Sequence, residues 1–184
     1  MNATNCRVRF GFVATACHGY PIIKIDVNGN TLFQNELQET CTVEVDFDLS
    51  ASNTLTVALI NKQNGPDVYD TVIDAQGNII EDKTCKIVDI YINKAKASFL
   101  LHDLIYEYAD GSSEFIYGYL SQNGKYTIQF PEKVFDWIID KRRALIPKRS
   151  TQSSLSYDSL FYMEDDYTQV NQLIKDCKNI LENF

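Results

Sequence analysis

Residues 42–49 read TVEVDFDL and carry the clearest structural signal in the chain. Every second residue is apolar, and the residues between them are threonine or acidic. Successive side chains of a strand point to opposite faces, so this period of two predicts a strand with one buried face and one face in water. The same alternation recurs in three other segments, at residues 7–12, 23–28 and 54–59.

Turn-forming residues separate the alternating segments. The tripeptide Asn28-Gly29-Asn30 predicts a tight hairpin, because Asn and Gly tolerate positive φ. Further breaks fall at residues 64–66, 76–78, 110–111 and 123–124. Three more alternations follow, at residues 104–108, 115–119 and 126–130. About nine short strands at this spacing predict a mostly β chain that folds as an antiparallel β-sandwich of the jelly-roll type.

One strand segment departs from strict alternation. Residues 84–93 (TCKIVDIYIN) have the composition of a strand, but the parity of the apolar positions changes near Val88. An extra residue in one strand of a pair shifts the side chains that follow it to the other face. We therefore expect a β-bulge close to Val88.

The period changes to a helical one after Pro131. Proline suits the first turn of a helix, and acidic residues early with basic residues late complement the helix dipole. We predict a helix at residues 131–144 that closes the sandwich, with an apolar stripe of Val134, Phe135, Ile138 and Ile139 and with Trp137 beside it. This region also contains a run of basic residues, which either complements the dipole at the C-terminus of the helix or forms a docking strip for an acidic neighbour. The run consists of Lys141, Arg142, Arg143, Lys148 and Arg149.

The last part of the chain predicts a linker and a second, amphipathic helix. We expect a sandwich domain at residues 1–145 and a linker with an assembly helix at residues 146–184. The apolar stripe of this helix includes Val170, Leu173, Ile174, Cys177 and Leu181. A helix of about 15 residues is marginal alone in water, so we expect the stripe to pack against its own sandwich or to form a protein interface with a neighbouring subunit.

The bulk composition excludes several classes of function. The chain of 184 residues has 45% hydrophobic and 23% charged residues, which is ordinary for a globular protein. Its net charge of −8 opposes phosphate, so no nucleic-acid partner is expected. No apolar stretch approaches the roughly 18 residues of a membrane span or resembles a signal peptide, so no membrane partner is expected.

The five cysteines, at positions 6, 17, 41, 85 and 177, do not form a CxxC pair. An odd number without metal-ligand spacing argues against a disulfide framework and against a zinc site. We interpret them as reduced, mostly buried thiols of a protein made in a cytosol.

No catalytic constellation is evident, and we expect a chain that is not an enzyme. The histidines are His18 and His102, and a nucleophile needs a base within hydrogen-bond reach. Cys17 precedes His18, but neighbouring strand residues point to opposite faces, so we do not expect the pair to meet. Phosphate-binding loops, GxSxG and HExxH motifs are absent from the sequence.

An acidic stretch at residues 66–82 offers weak calcium ligands. It contains Asp67, Asp70 and Asp82 and has neither lysine nor arginine. Clustered carboxylates with loop carbonyls can hold a hard cation such as calcium, although the spacing is not that of an EF-hand. The alternative is an acidic connection whose Asp and Asn residues form turns, and in that case no cofactor is bound.

Four tyrosines recur at a period of two: Tyr106, Tyr108, Tyr117 and Tyr119. Opposed across a ladder, they would form one aromatic surface. If this surface is open, it suits ligand binding by stacking on sugar rings, because tyrosine has an apolar face and a polar tip. If it is closed, it is the core of the sandwich, which we consider the better interpretation.

Residues 66–93 (PDVYDTVIDAQGNIIEDKTCKIVDIYIN) resemble a pattern of tailed-bacteriophage virion domains that are similar to carbohydrate-binding modules. The resemblance extends over residues 7–135. The matching residues are Asp70, Thr71, Asp74, Gly77, Asn78, Ile79, Asp82, Lys83, Ile87, Asp89 and Ile90. It implies a β-sandwich, a location in the virion after synthesis in the host cytoplasm, and, for some such modules, calcium and sugar held together in loops.

Two functions are compatible with these observations. The first is a structural or assembly subunit of a phage particle, for example a capsid decoration, neck or fibre-attachment protein, which binds other virion proteins or copies of itself. The second is a carbohydrate-binding or adhesion module that uses the tyrosine surface, with a glycan as partner and calcium as an aid. An enzyme that uses His18 or His102 is a third, weaker hypothesis.

Overall fold

The computed structural model describes residues 5–63 and 69–145 of the chain. The predicted linker and assembly helix at residues 146–184 lie outside the described residues, with the whole predicted interface of Val170, Leu173, Ile174, Cys177 and Leu181. Asp67 lies outside them as well. The domain boundary between residues 145 and 146 therefore stays a prediction.

The described part of the chain is mostly β, with antiparallel sheets and one α-helix, as the sequence predicts. The strands and helices, in chain order, are β1 (Asn5–Thr15), β2 (Ile22–Val27), β3 (Asn30–Glu36), β4 (Thr40–Asp48), β5 (Ser52–Leu59), β6 (Thr71–Ile73), β7 (Ile79–Asp82), β8 (Thr84–Ile92), β9 (Ala95–Lys96), a 3-10 helix (Ser98–His102), β10 (Tyr106–Tyr108), β11 (Ser113–Glu114), β12 (Tyr119–Leu120), β13 (Gly124–Pro131) and α1 (Val134–Leu145).

The first sheet has the strand order β12-β8-β1-β4, and β9 pairs with β8 outside this path. Strand β1 shows the predicted alternation, because its buried residues are Cys6, Val8, Phe10, Phe12 and Ala14. The register between β1 and β8 shifts between Gly11, which pairs with Asp89, and Phe12, which pairs with Ile87. Val88 is therefore the extra residue of a bulge, as predicted.

The second sheet has the order β11-β10-β13-β5-β2-β3. Strands β2 and β3 form the predicted hairpin at Asn28-Gly29, where both residues have positive φ (51° and 83°). This backbone geometry matches the right-handed twist of the two strands that it joins.

The inner faces of the two sheets share one hydrophobic core. Phe10 and Phe12 of the first sheet and Ile25, Leu55 and Tyr126 of the second sheet are all at most 1% exposed. Burying such side chains stabilises the fold by about 1.5–3 kcal/mol each before the entropy of ordering them is subtracted. The two layers follow directly from the period of two in the sequence.

Strands β6 and β7 form a separate two-stranded sheet. They are joined by a turn in which Asp74 accepts hydrogen bonds from the backbone of Gln76 (2.9 Å) and Asn78 (2.8 Å). We call this element the isoleucine hairpin, because the side chains of Ile73, Ile79 and Ile80 are 60–64% exposed.

Helix α1 begins later than predicted. Pro131 is the last residue of β13, where it pairs with Ser52 at the end of the ladder, and the helix begins at Val134. Proline fits the end of a strand as well as the first turn of a helix, so its position alone could not separate the two. Val134 and Ile138 are buried as predicted, but Ile139 is half-buried and Phe135 is 54% exposed, so the predicted stripe is too wide. The Trp137 ring lies 5.8 Å from that of Phe130.

Within the described residues, no helix has the length and apolar character needed to cross a membrane.

Candidate functional site

A tight turn at residues 116–119 presents a tyrosine in an unusual backbone conformation. Tyr117 has φ 45° and Gly118 has φ 74°, and the Tyr119 N–H donates to the Ile116 carbonyl at 3.0 Å. Two central residues of positive φ are typical of a type I′ turn. Glycine adopts this conformation freely, but a bulky aromatic residue seldom does, and it costs about 1–2 kcal/mol.

The turn is held in place by Gly118. The Gly118 carbonyl accepts a hydrogen bond from the Ile87 N–H of β8 at 2.8 Å. A Cβ atom at Gly118 would lie 2.8 Å from the Ile87 carbonyl oxygen and 3.2 Å from the Leu101 side chain. The backbone therefore packs too closely there for any other residue, and the position of Tyr117 is fixed.

Tyr117 makes two aromatic contacts on the surface. Its hydroxyl lies 3.1 Å from Nε2 of His102, at the end of the 3-10 helix, and the two ring centroids are 4.6 Å apart. The Phe115 ring lies 6.4 Å from that of Tyr117. The exposed fraction is 48% for Phe115 and 41% for Tyr117, and His102 is also exposed. We call His102, Phe115 and Tyr117 the aromatic corner.

The four predicted tyrosines do not form one surface, and this prediction was wrong. Tyr106 and Tyr108 lie on β10 of the second sheet, whereas Tyr119 lies on β12, which pairs with β8 of the first sheet. Tyr117 lies in the turn before β12. The alternation of apolar residues at 115–119 continues through this turn. From the sequence alone it therefore predicts a strand that neighbours the strand of Tyr106 and Tyr108.

Tyr117 and Tyr119 are 41% and 38% exposed and Tyr108 is half-buried, so the other interpretation, the core of the sandwich, holds only for Tyr106. This residue is fully buried, its ring contacts those of Tyr108 and Tyr126, and its hydroxyl donates to the Gln122 carbonyl at 2.6 Å. Burial raises the pKa of Tyr106, and burial raises the pKa of Tyr126 to about 12. Both phenols are therefore neutral structural groups.

Two ion pairs, one buried and one partly buried, lie at the base of the isoleucine hairpin. Lys83 Nζ donates to Asp70 Oδ2 at 2.8 Å, and Lys62 Nζ donates to Asp82 Oδ1 at 2.5 Å. The Thr71 hydroxyl donates to the same Asp82 oxygen at 2.5 Å. The hairpin is thus attached to the sandwich by charge-assisted hydrogen bonds, which are the stronger class.

Asp70 keeps its charge in this buried place. Burial raises the pKa of its carboxyl, but hydrogen bonds from the Lys83 side chain and the Gln63 backbone, with attraction to Lys83 and His18, hold the pKa below its usual value. The Gln63 N–H donates to Oδ2 at 2.7 Å. The other oxygen, Oδ1, is buried without a hydrogen-bond partner, 3.9 Å from His18 Nδ1.

The carboxylates of the predicted calcium ligands Asp70 and Asp82 each contact a lysine, Lys83 and Lys62 respectively. An ammonium group beside each carboxylate disfavours a second cation there. Across residues 5–63 and 69–145, no group of three or more His, Cys, Asp or Glu side chains is arranged to hold a metal ion. The calcium hypothesis, which also involves Asp67, stays a prediction.

Cys17 and His18 do meet, contrary to the expectation from strand geometry. The chain leaves β1 at Thr15, and His18 (φ 51°) lies in a turn, so its Nδ1 comes 3.7 Å from the Cys17 sulfur. Nδ1 also lies 3.0 Å from the Tyr69 carbonyl oxygen, which can only accept a hydrogen bond. This nitrogen therefore carries the proton and cannot take one from the thiol.

The Cys17 thiol is also a poor nucleophile. Burial raises its pKa, and the nearby carboxylates of Glu81, Asp70 and Asp82 raise it further. Reactive cysteines have a lowered pKa, because the thiolate is the attacking species. The pair is consistent with a structural contact that ties the β1–β2 turn to the hairpin base.

Comparison with known proteins gives a fold likeness and no family. No protein-family model matches the chain, and no curated protein matches it. Two solved structures do. One, "vCBM60 in complex with galactobiose", is 16% identical, covers 66% of this chain and 95% of its own, and has a TM-score of 0.41.

The second is a selenomethionine form of vCBM60, from work on two families of calcium-dependent carbohydrate-binding modules. It is 14% identical, covers 67% of this chain and 89% of its own, and has a TM-score of 0.43. The structural neighbours are thus carbohydrate-binding modules of low identity, and neither is described as a phage protein. Similarity at this level transfers no ligand to this chain.

Proposed function

We propose that this chain is a non-catalytic module that binds a glycan through the aromatic corner of His102, Phe115 and Tyr117. One observation supports it most directly: Tyr117 stays in a costly left-handed conformation while its ring is 41% exposed. Strained residues that the surrounding structure holds in place cluster at ligand sites. Asn or Gly would adopt this conformation at a lower cost than tyrosine.

The chemistry of the corner suits a sugar. The C–H faces of a sugar ring pack on aromatic rings, and the hydroxyl groups need donors and acceptors at the rim. The Tyr117 hydroxyl and His102 Nε2 share one hydrogen bond at 3.1 Å. Whichever of the two donates, the pair still offers a ligand one donor and one acceptor.

A binding role also agrees with the environment of the Cys17–His18 pair. The thiol has a raised pKa, and the nearest imidazole nitrogen is already donating to Tyr69. Neither group is prepared for nucleophilic or base catalysis.

The test is a glycan microarray followed by calorimetry with the full chain. Tyr117→Asn removes the ring but suits the turn, since Asn tolerates positive φ. We expect it to keep the melting temperature and to weaken glycan binding by at least about tenfold, as for loss of a central aromatic contact. Phe135→Ala is the matched control, because Phe135 is another exposed aromatic residue (54%) on α1.

Repeating each titration with a chelator tests the calcium hypothesis. Binding that survives the chelator assigns recognition to the aromatic corner without a cation. Absence of any array signal, or equal affinity for Tyr117→Asn and the unaltered chain, would rule out this function.

The isoleucine hairpin supports a surface that docks on another protein, and as a second candidate we propose a structural subunit of a tailed-phage virion that docks on another virion protein through it. Ile73, Ile79 and Ile80 are exposed at 60%, 64% and 62%. Three exposed isoleucines on one small element are unusual for a surface that faces only water. The two functions are compatible, since a subunit attached by one surface can present another.

Mass spectrometry of purified particles from a phage that encodes this chain tests the virion location. The double variant Ile79→Lys with Ile80→Lys is expected to reduce incorporation of the chain into particles, because two unpaired charges would be buried in the interface. Leu32→Lys on the exposed edge strand β3 is the control (Leu32 is 40% exposed). Particles that lack the chain, or that incorporate both variants equally, would contradict the candidate.

A further inference from the structure

We infer that the aromatic corner accepts a single sugar ring, at the end or at a branch of a glycan, and that it does not bind a flat polysaccharide surface. This inference rests on the proposed function and specifies its ligand class. It comes from the angles that the Tyr117 ring makes with the rings of His102 and Phe115.

The Tyr117 ring stands at a steep angle to each of its two neighbours. The interplanar angle is 67° between His102 and Tyr117 and 70° between Phe115 and Tyr117. Consecutive sugars of an extended, flat chain need aromatic rings that lie in one plane. Tyr117 forms no common plane with either neighbour, so a sugar stacked on it has no continuous aromatic platform for the next sugar of a flat chain.

The contacts of Tyr117 and its short distance to His102 keep the two rings out of one plane. The 116–119 turn is closed by its own hydrogen bond, and the Gly118 carbonyl is bound to β8 at 2.8 Å. Gly118 has no room to shift toward Ile87 or Leu101, because even a Cβ atom would be too close to them. The Tyr117 hydroxyl is in turn held by His102. With their centroids 4.6 Å apart, the Tyr117 and His102 rings could not lie side by side in one plane without overlapping.

The polar rim also favours a ring with free hydroxyls. The His102–Tyr117 pair offers one donor and one acceptor, and two neighbouring hydroxyls of a single sugar can satisfy both. A terminal sugar has more unlinked hydroxyls than one inside a chain. The same site that excludes a flat chain therefore recognises a chain end.

The test compares ligand length with the full chain in calorimetry. The probes are methyl β-glycosides of glucose, galactose, mannose and N-acetylglucosamine, their β-linked di-, tetra- and hexasaccharides, microcrystalline cellulose and chitin beads. For the sugar that binds, we expect affinities per molecule that agree within about threefold from disaccharide to hexasaccharide, because added sugars make no new contacts. We expect no adsorption to the insoluble polymers.

Tyr117→Phe distinguishes the contribution of the Tyr117 hydroxyl from that of its aromatic ring. It keeps the ring and removes the hydroxyl, so we expect severalfold weaker binding with the same independence of length. Affinity that rises about tenfold or more with length, or adsorption to cellulose or chitin, would overturn the single-ring inference and leave glycan binding intact. Failure of every probe and of the glycan array would overturn both.

Discussion

Asp70 and Lys83 are the residues on which the hairpin base depends most. Their side chains are 1% and 6% exposed, and their charged atoms are 2.8 Å apart. A buried pair of this kind contributes little net stability over an apolar pair of the same volume. Removing one partner is different, because the other charge then stays buried without compensation.

Lys83→Met is therefore expected to destabilise the fold by about 3–5 kcal/mol, measured by urea unfolding. The double variant Asp70→Asn with Lys83→Met should recover much of this loss, because the introduced amide is neutral and its oxygen still accepts from the Gln63 N–H. Arg7→Met is the control. It breaks the Arg7–Asp46 pair, whose side chains are 59% and 46% exposed, and should have a far smaller effect. Equal losses for both single variants would contradict the prediction.

The Asp70–Lys83 pair should also make the free energy of unfolding depend on pH. The pKa of Asp70 in the folded chain is below its usual value, so its contribution is fully present above pH about 4 and is lost as the pH falls below that value. Acid unfolding of the unaltered chain should thus be steeper below pH 4 than that of the double variant, when followed by tryptophan fluorescence. If the acid-unfolding curves of the unaltered chain and the double variant are parallel, the pKa of Asp70 is the same in the folded and the unfolded chain, and the prediction fails.

At this scale the sequence identified several residues but not their partners. The sequence singles out Asp70 and Asp82 as acidic, but it does not show which lysines they pair with. Asp70 pairs with Lys83 and Asp82 pairs with Lys62, and both partners are more than ten residues away along the chain. Tyr117 stood out as aromatic, but its backbone conformation was missed. The dipeptide Tyr117-Gly118 carried the signal, since glycine at the second central position favours a turn.

Elements with strong local signals were predicted well. The strands at residues 42–49 and 23–28, the Asn28-Gly29 hairpin and the Val88 bulge are all present. Their signals come from neighbours along the chain. The error at residues 115–119 arose because short apolar runs have the same alternation in a turn as in a strand, and tertiary contacts to β8 decided the outcome.

The isoleucine hairpin is an element whose turn can be tested alone. Asp74 accepts from three donors of Gln76 and Asn78, and these hydrogen bonds lower the pKa of its carboxyl, those from Asn78 first. Asp74→Ala removes the acceptors from an exposed turn. We expect faster amide exchange in β6 and β7, with the melting temperature of the sandwich nearly unchanged, because the two-stranded sheet is only marginally stable by itself.

Hydrogen exchange read by mass spectrometry measures this effect at the peptide level. Gln76→Ala is the matched control, because the Gln76 side chain makes no bond of the turn described above and its backbone N–H is kept. If exchange stays slow in β6 and β7 of Asp74→Ala, the ion pairs at the base are sufficient to hold the hairpin.

For the molecule as a whole, the period of two predicts two layers but not the order of strands within them. The sequence cannot show that β1 lies between β8 and β4, because those pairings join residues that are far apart in the chain. The antiparallel sandwich with one helix was predictable because each strand must bury one face. The site, by contrast, joins the end of a 3-10 helix to a turn before β12, and this juxtaposition depends on the finished fold.

The proposed division at residue 145 gives the prediction that concerns the entire chain. Among residues 5–63 and 69–145, the core runs from Cys6 to Ile138, so a chain that ends at Leu145 retains every buried apolar residue that the structure describes. We expect truncation after Leu145 to leave its melting temperature within a few degrees of that of the full chain, because stability follows the buried apolar area.

The same truncation tests whether the apolar stripe at residues 170–181 mediates assembly. If it does, the full chain should form a larger species than the truncated chain in analytical ultracentrifugation. Leu173→Asp with Ile174→Asp in the full chain is the matched variant, because it removes the stripe and keeps the length. Identical masses for all three proteins would exclude self-association through this segment, whereas a large fall in the melting temperature would show that it packs on its own sandwich.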